Sequence, residues 1–175
     1  MSKIGASSRS IIIGAIVVTI VLSLVVPSAT ARTACVVPIM MGVIAAFKVD
    51  KHSRLAASMM IVIAQATSIW NVGIQTSAAQ NLLSIGFINK TFGAGHSVSW
   101  LDWLLAGAPW SLTMSAILYF LARKLLPPET EAVEGGSEAI KKALAELGPT
   151  TGKEKRLIGI SLLLLLFWST GGKLH

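Results

Sequence analysis

Residues 10–47 form a block of thirty-eight positions that is apolar except around Pro27-Ser28-Ala29-Thr30-Ala31-Arg32-Thr33, and both of its flanks are basic. A run of that length exceeds what the core of a small soluble domain houses, and in lipid only helices keep every backbone group satisfied within a segment. Composition agrees: 53% of the 175 residues are apolar and only 13% charged, against about a quarter in soluble domains. Of the eight acidic residues, most lie between positions 129 and 154. The bulk of the chain belongs in a bilayer, and an ordinary soluble enzyme is excluded.

The net charge of +7 needs its placement read before a partner is inferred. The basic residues gather at Lys3/Arg9, Lys48/Lys51/Arg54, Arg123/Lys124 and Lys141–Arg156, at the ends of apolar blocks and without interleaved aromatics. That is the positive-inside pattern, not a nucleic-acid stripe. Twelve of the fifteen fall on one inferred face, which makes it cytoplasmic and places the N-terminus there. Cys35 is the single cysteine and His52, His96 and His175 are far apart, so neither a disulfide framework nor metal-ligand spacing is present. A secretory leader ending near Ala31 is disfavoured, because apolar character resumes directly after Arg32.

Basic flanks on both sides of 10–47 require the chain to leave on the face it entered, so the block is a helical hairpin turning at Pro27–Thr30. Two ordinary spans are one version. A re-entrant hairpin with its tip buried in protein is the expected one, since the turn lacks charged or Asn/Gly loop residues and the arms are short. The next block, 54–88, carries seven polar or glycine residues among the eleven from Asn71 to Asn81. Lipid-facing helix does not tolerate that, so a helix broken in its middle is expected, the alternative being a span that stops near Ile69. Segment 89–99 reads as an external loop, and Trp100 and Trp103 open a further transmembrane helix over 99–122 at an interfacial aromatic belt. Residues 1–124 are thus one membrane unit. Residues 125–156 are a cytoplasmic linker whose Ser137-capped stretch is amphipathic through Ile140, Ala143, Leu144 and Leu147, and 157–175 begin another span.

Two irregular backbone elements in one short membrane chain mark a small-solute site. Ser28, Thr30 and Thr33 bring hydroxyls to the tip; Asn71, Gln75, Thr76, Ser77 and Asn81 bring neutral amides and hydroxyls to the break. None of these apolar blocks holds a buried carboxylate, which argues against a proton relay or divalent-metal transport. Arg32 cannot shed its charge, and its planar fork suits a carboxylate, sulfate or phosphate; backbone carbonyls of the hairpin are the competing partners. Ser28, Thr30, Arg32, Thr76 and Ser77 are the candidate anion contacts. No nucleophile–base pair appears, so no enzyme is expected.

Pro27-Ser28-Ala29-Thr30-Ala31-Arg32-Thr33-Ala34 followed by Val37-Pro38-Ile39 resembles the signature region of the divalent anion:sodium symporter family, the citrate and dicarboxylate carriers. Leu126-Pro127-Pro128-Glu129, Ala143–Pro149 and Lys153-Glu154-Lys155 ahead of Leu166-Phe167-Trp168 look like the linker between that family's halves, in the same order. The resemblance implies an all-α integral membrane fold. It would be one inverted repeat of an elevator-type secondary transporter, with a re-entrant hairpin and a broken helix. It also implies a bacterial inner-membrane location, a homodimer when complete, and transport of di- or tricarboxylates by exchange or with sodium. Sulfate carriage and a non-transporting assembly subunit stay open beside it. Ser28 and Thr30 match the outer positions of the family's Ser-Asn-Thr tip, with Ala29 in place of Asn. Ser28, Asn71 and Gly73 are the cation ligands implied, sodium being the coupling ion and no other cofactor being called for. The second hairpin lies outside this sequence, so a second repeat or partner subunit is expected to complete the site, and the chain alone is expected not to transport.

Overall fold

The computed structural model describes residues 7–46, 49–93, 98–129, 145 and 148–170. Its elements are α1 (Ser8–Val25), α2 (Ala29–Ala46), α3 (Arg54–Gly73), a 3-10 turn (Gln75–Ser77), α4 (Ala79–Phe92), α5 (Trp100–Leu125) and α6 (Gly152–Thr170). Helices α1, α3 and α5 are long and apolar enough to cross a membrane. The amphipathic stretch expected over 137–147 lies, but for Ala145, outside the described residues.

The hairpin turn is tighter than its sequence suggests. Only Val26, Pro27 and Ser28 separate the arms, each of 18 residues or about 27 Å of helix. Pro27 keeps Val26 extended, and Ser28 caps α2 by accepting the Ala31 N–H on its hydroxyl at 3.3 Å. Thr30 therefore belongs to the first turn of α2 and not to the loop.

Helix α3 is the centre of the body, packing against α1, α2 and α5. Its buried residues Leu55, Met59, Val62, Ala66 and Trp70 recur every three or four positions. Facing them, α1 presents Ile12, Ala15, Ile16 and Thr19, and α2 presents Arg32, Val36, Met40 and Ile44 at strict four-residue spacing. Two buried hydroxyls on α1 are satisfied inside the helix: Thr19 donates to the Ala15 carbonyl at 2.8 Å and Ser23 to that of Thr19 at 2.7 Å.

Helix α5 runs back along α3. Gly107, Ser111 and Ser115 form a small-residue stripe that lets the two backbones meet, the usual device where lipid removes any hydrophobic drive between helices. A Cβ on Gly73 would lie 2.5 Å from the Ser111 hydroxyl oxygen, so α3 crosses α5 with no space for a side chain there. At the far end of the pair, Glu129 reaches back to the start of α3. Its carboxylate accepts the Arg54 N–H at 2.6 Å and stands 3.5 Å from the Arg54 guanidinium.

Helix α4 begins at the break and meets the body mainly through the 3-10 turn, leaving Leu82, Leu83 and Phe87 exposed. It extends to Phe92, ending on Gly93 at φ +83°, so Asn89, Lys90 and Thr91 are helical where a loop is expected from their polarity. Helix α6 opens on a Thr151–Glu154 capping box and buries none of its residues.

Candidate functional site

The hairpin tip and the break in α3–α4 lie together, and Arg32 joins them. Four-residue spacing from Val36 places it on the buried stripe of α2, and its side chain is fully buried. Its guanidinium donates to the Val26 carbonyl at 3.2 Å across the tip, to the Ser77 hydroxyl at 2.5 Å, to the Thr67 carbonyl at 3.5 Å and to the Asn71 side-chain oxygen. Every acceptor is neutral. The positive charge is therefore spread over dipoles and left uncancelled, while Arg32 Nε and the Thr67 hydroxyl, both buried, have no partner among the described residues.

The break itself is built from local geometry. Helix α3 stops at Gly73; Ile74 is extended (φ −129°), as is Ala78 (φ −150°), with one 3-10 turn between them. Carbonyls released at the end of a helix need donors. Here side chains supply them. The Asn81 amide donates to the carbonyls of Asn71 (2.6 Å), Ile74 (2.9 Å) and Gln75 (3.2 Å). From α5, the Trp103 indole donates to the Val72 carbonyl at 2.8 Å and the Ser111 hydroxyl to that of Ile69 at 3.1 Å. The Trp100 indole donates to the Thr76 hydroxyl at 3.3 Å. These tryptophans thus support the break as well as standing at the start of their helix. Asp102 acts locally, its carboxylate accepting the Ser99 N–H and O–H in a capping box.

Of the residues singled out from sequence, Arg32, Asn71 and Ser77 meet directly. Ser28 and Thr30 are exposed on the tip beside them, Ser28 with its hydroxyl in the α2 cap. Thr76 is bound to Trp100 on the α5 side, and Gly73 is buried against Ser111. A separate cavity of about 410 Å³ lies on that side, lined by Val72, Asp102, Trp103, Ala106, Gly107 and Trp110. It is chiefly apolar and takes in none of Arg32, Asn71 or Ser77.

Sequence reasoning does not reach the Trp103 and Ser111 contacts, nor the Trp70 indole donating to the Ser115 hydroxyl at 3.0 Å, although Gly107, Ser111 and Ser115 at intervals of four carry the small-residue signal of a close helix pair. The chemistry available at the junction is anion recognition. It combines a fixed guanidinium, the amide-rich N-terminus of α2 and exposed hydroxyls, with no carboxylate on the guanidinium among the described residues. A cation fits it less well. The Asn71 side-chain oxygen and the Ser77 hydroxyl already accept from a guanidinium, which repels a second positive charge.

Comparison with known proteins gives consistent matches. The sequence matches the family described as the sodium:sulfate symporter transmembrane region over residues 1–175. A protein of Cupriavidus necator called a membrane protein is 65% identical over 175 residues, all of this chain and 34% of its own. The citrate/succinate antiporter of Escherichia coli strain K12 is 30% identical over 163 residues, 90% of this chain and 33% of its own. The L-tartrate/succinate antiporter of the same strain is 33% identical over 98 residues, 55% of this chain and 20% of its own. The chain spans about a third of the length of the first two relatives.

Proposed function

We propose, from the premise that this chain belongs to the sodium:sulfate symporter transmembrane family, that it forms one substrate-binding repeat of a carrier for di- or tricarboxylate anions. An integral membrane transporter of this family is not an enzyme, and its substrates are small anions. The observation that carries the reading is Arg32, a buried guanidinium with no acidic partner among the described residues, holding the hairpin tip against the broken helix. A guanidinium with only neutral partners in a low-dielectric site attracts a polyanion strongly, and the exposed Ser28 and Thr30 hydroxyls at the N-terminus of α2 are placed to orient its carboxylates.

Ser28 and Thr30 are the proposed direct contacts, with Ser77 and Thr76 lining the break and Arg32 supplying the field. The hairpin is proposed as re-entrant and the repeat as the first of two inverted ones, working as an elevator in a homodimer. The proposed location is a bacterial inner membrane with the N-terminus cytoplasmic, as the basic asymmetry supports. Both relatives described as antiporters exchange succinate for another carboxylate by their names, which supports carboxylates and exchange. The family description, which names sulfate, supports an inorganic oxyanion as the second reading.

Uptake of labelled succinate and citrate into proteoliposomes tests this, with the chain supplied beside the rest of a carrier of its relatives' length. Thr30→Val and Ser28→Ala are expected to raise the half-saturating substrate concentration about tenfold, the loss of about 1.4 kcal/mol from a hydrogen bond to a charged group. Excess unlabelled sulfate that abolishes uptake while citrate does not would move the assignment to the oxyanion. Unchanged affinity in both variants removes the tip from the site.

A further inference from the structure

The family's description implies a coupling cation, and the carbonyl cluster at the break is where backbone oxygens converge. Three carbonyls, of Asn71, Ile74 and Gln75, lie 2.6, 2.9 and 3.2 Å from a single atom, the Asn81 amide nitrogen. Converging carbonyl dipoles repel one another and need a donor or a cation at their focus, and in transporters the unwound carbonyls of a broken helix can hold Na+. Here the focus is filled from within the chain. The amide carries two N–H groups for three acceptors, so at least one is shared, and Asn81 is only 7% exposed.

We propose that the Asn81 amide takes the position of a cation in the broken helix, so that this repeat closes its carbonyl cluster without a coupling ion. The inference rests on the carrier reading above. Three features support it besides the distances. Asn71 is held from two sides, its main-chain oxygen by Asn81 and its side-chain oxygen by Arg32. A cation entering the focus would displace the amide and sit beside that guanidinium. At the tip, Ala29 brings no side-chain oxygen toward a cation. Asn81 also belongs to the first turn of α4, so the clamp fixes α4 to the end of α3 across the break.

The test is the thermal unfolding midpoint of the purified chain in lipid nanodiscs, with sodium chloride exchanged for choline chloride at constant ionic strength. The wild type is expected to show the same midpoint in both salts. Asn81→Asp removes the N–H donors and points a carboxylate at three carbonyls, turning the cluster into a cation cage. Its midpoint is expected to fall in choline and to recover by about 5 °C or more in saturating sodium. A saturable rise of the wild-type midpoint with sodium overturns the proposal, as does an Asn81→Asp protein that is folded and indifferent to sodium. Should Asn81→Asp fail to fold in either salt, Asn81→Ser takes its place: it removes the donors and leaves room for an ion, so sodium sensitivity supports the proposal and indifference overturns it. Loss of all anion uptake by the completed carrier would sink the carrier reading and leave these sodium responses unchanged, so the two failures are distinguishable.

Discussion

Gly73 at the end of α3 and Gly107 in α5 bring two backbones together at the break: a Cβ on Gly107 would stand 3.0 Å from the Val72 carbonyl oxygen and 3.2 Å from the Gly73 Cα. This approach sets the Val72 carbonyl within reach of the Trp103 indole and the Ile69 carbonyl within reach of Ser111. The unwound segment thus rests on a rigid neighbour.

Gly73→Ala is expected to destabilise the chain by about 1–3 kcal/mol, because its methyl would meet the Ser111 hydroxyl oxygen at 2.5 Å and the Ser111 Cβ at 2.9 Å. The Gly73→Ala, Ser111→Gly pair should recover part of that loss. Thermal unfolding of the four proteins of the double-mutant cycle in detergent checks it; strictly additive effects would show that the contact is not shared.

Arg32→Lys keeps the charge and loses the planar fork. A lysine ammonium has three donors on a flexible stem, against four acceptors placed on both sides of the tip and break. The expected cost is about 2 kcal/mol or more, with faster tryptic cleavage in the lysine protein near residues 26–33. Cleavage at the wild-type rate would count against the bridge.

Trp103→Phe keeps an aromatic, though smaller, ring and leaves the Val72 carbonyl without its donor. A loss of about 1 kcal/mol is expected. Trp110→Phe, at a ring with no hydrogen bond among the described residues, should cost less, and equal losses would assign the effect to ring packing. Tryptophan fluorescence during denaturation separates them.

Glu129 predicts the acid limb of stability. The Arg54 N–H, with further help from the Leu55 N–H and the Arg54 charge, holds its carboxyl below the ordinary 4.5. A depressed carboxyl contributes stability that is present above its unfolded pKa and is lost as pH falls through the lower folded value. The unfolding midpoint of the wild type should therefore drop as pH falls below the ordinary carboxyl range. Glu129→Gln should lie lower at pH 6 and show a shallower acid loss, and parallel pH profiles would remove Glu129 from the account.

The amino-acid sequence by itself determined the apolar, helix-forming blocks, the Pro27-Ser28 turn within the first of them and the polar irregularity at Asn71–Asn81, but not the helical course of Asn89–Thr91. These are local properties: hydropathy over a window, a proline before a capping serine, and polar density too high for lipid. It also singled out Arg32, since an arginine among apolar residues needs partners whatever the fold. Only the tertiary structure decided what those partners are. Ser77 and Asn71 lie 45 and 39 positions further along the chain, and nothing in the periodicity of either segment selects one against the other. The same holds for Trp103, whose position in the sequence suits a membrane interface and whose indole N–H is spent on a carbonyl thirty-one residues away. Asn81 shows the division most clearly. Its polarity announced a broken helix, but the convergence of three carbonyls on its amide depends on the path of the chain from Gly73 to Ala78, and hydrogen-bond partners are chosen by that path and not by composition.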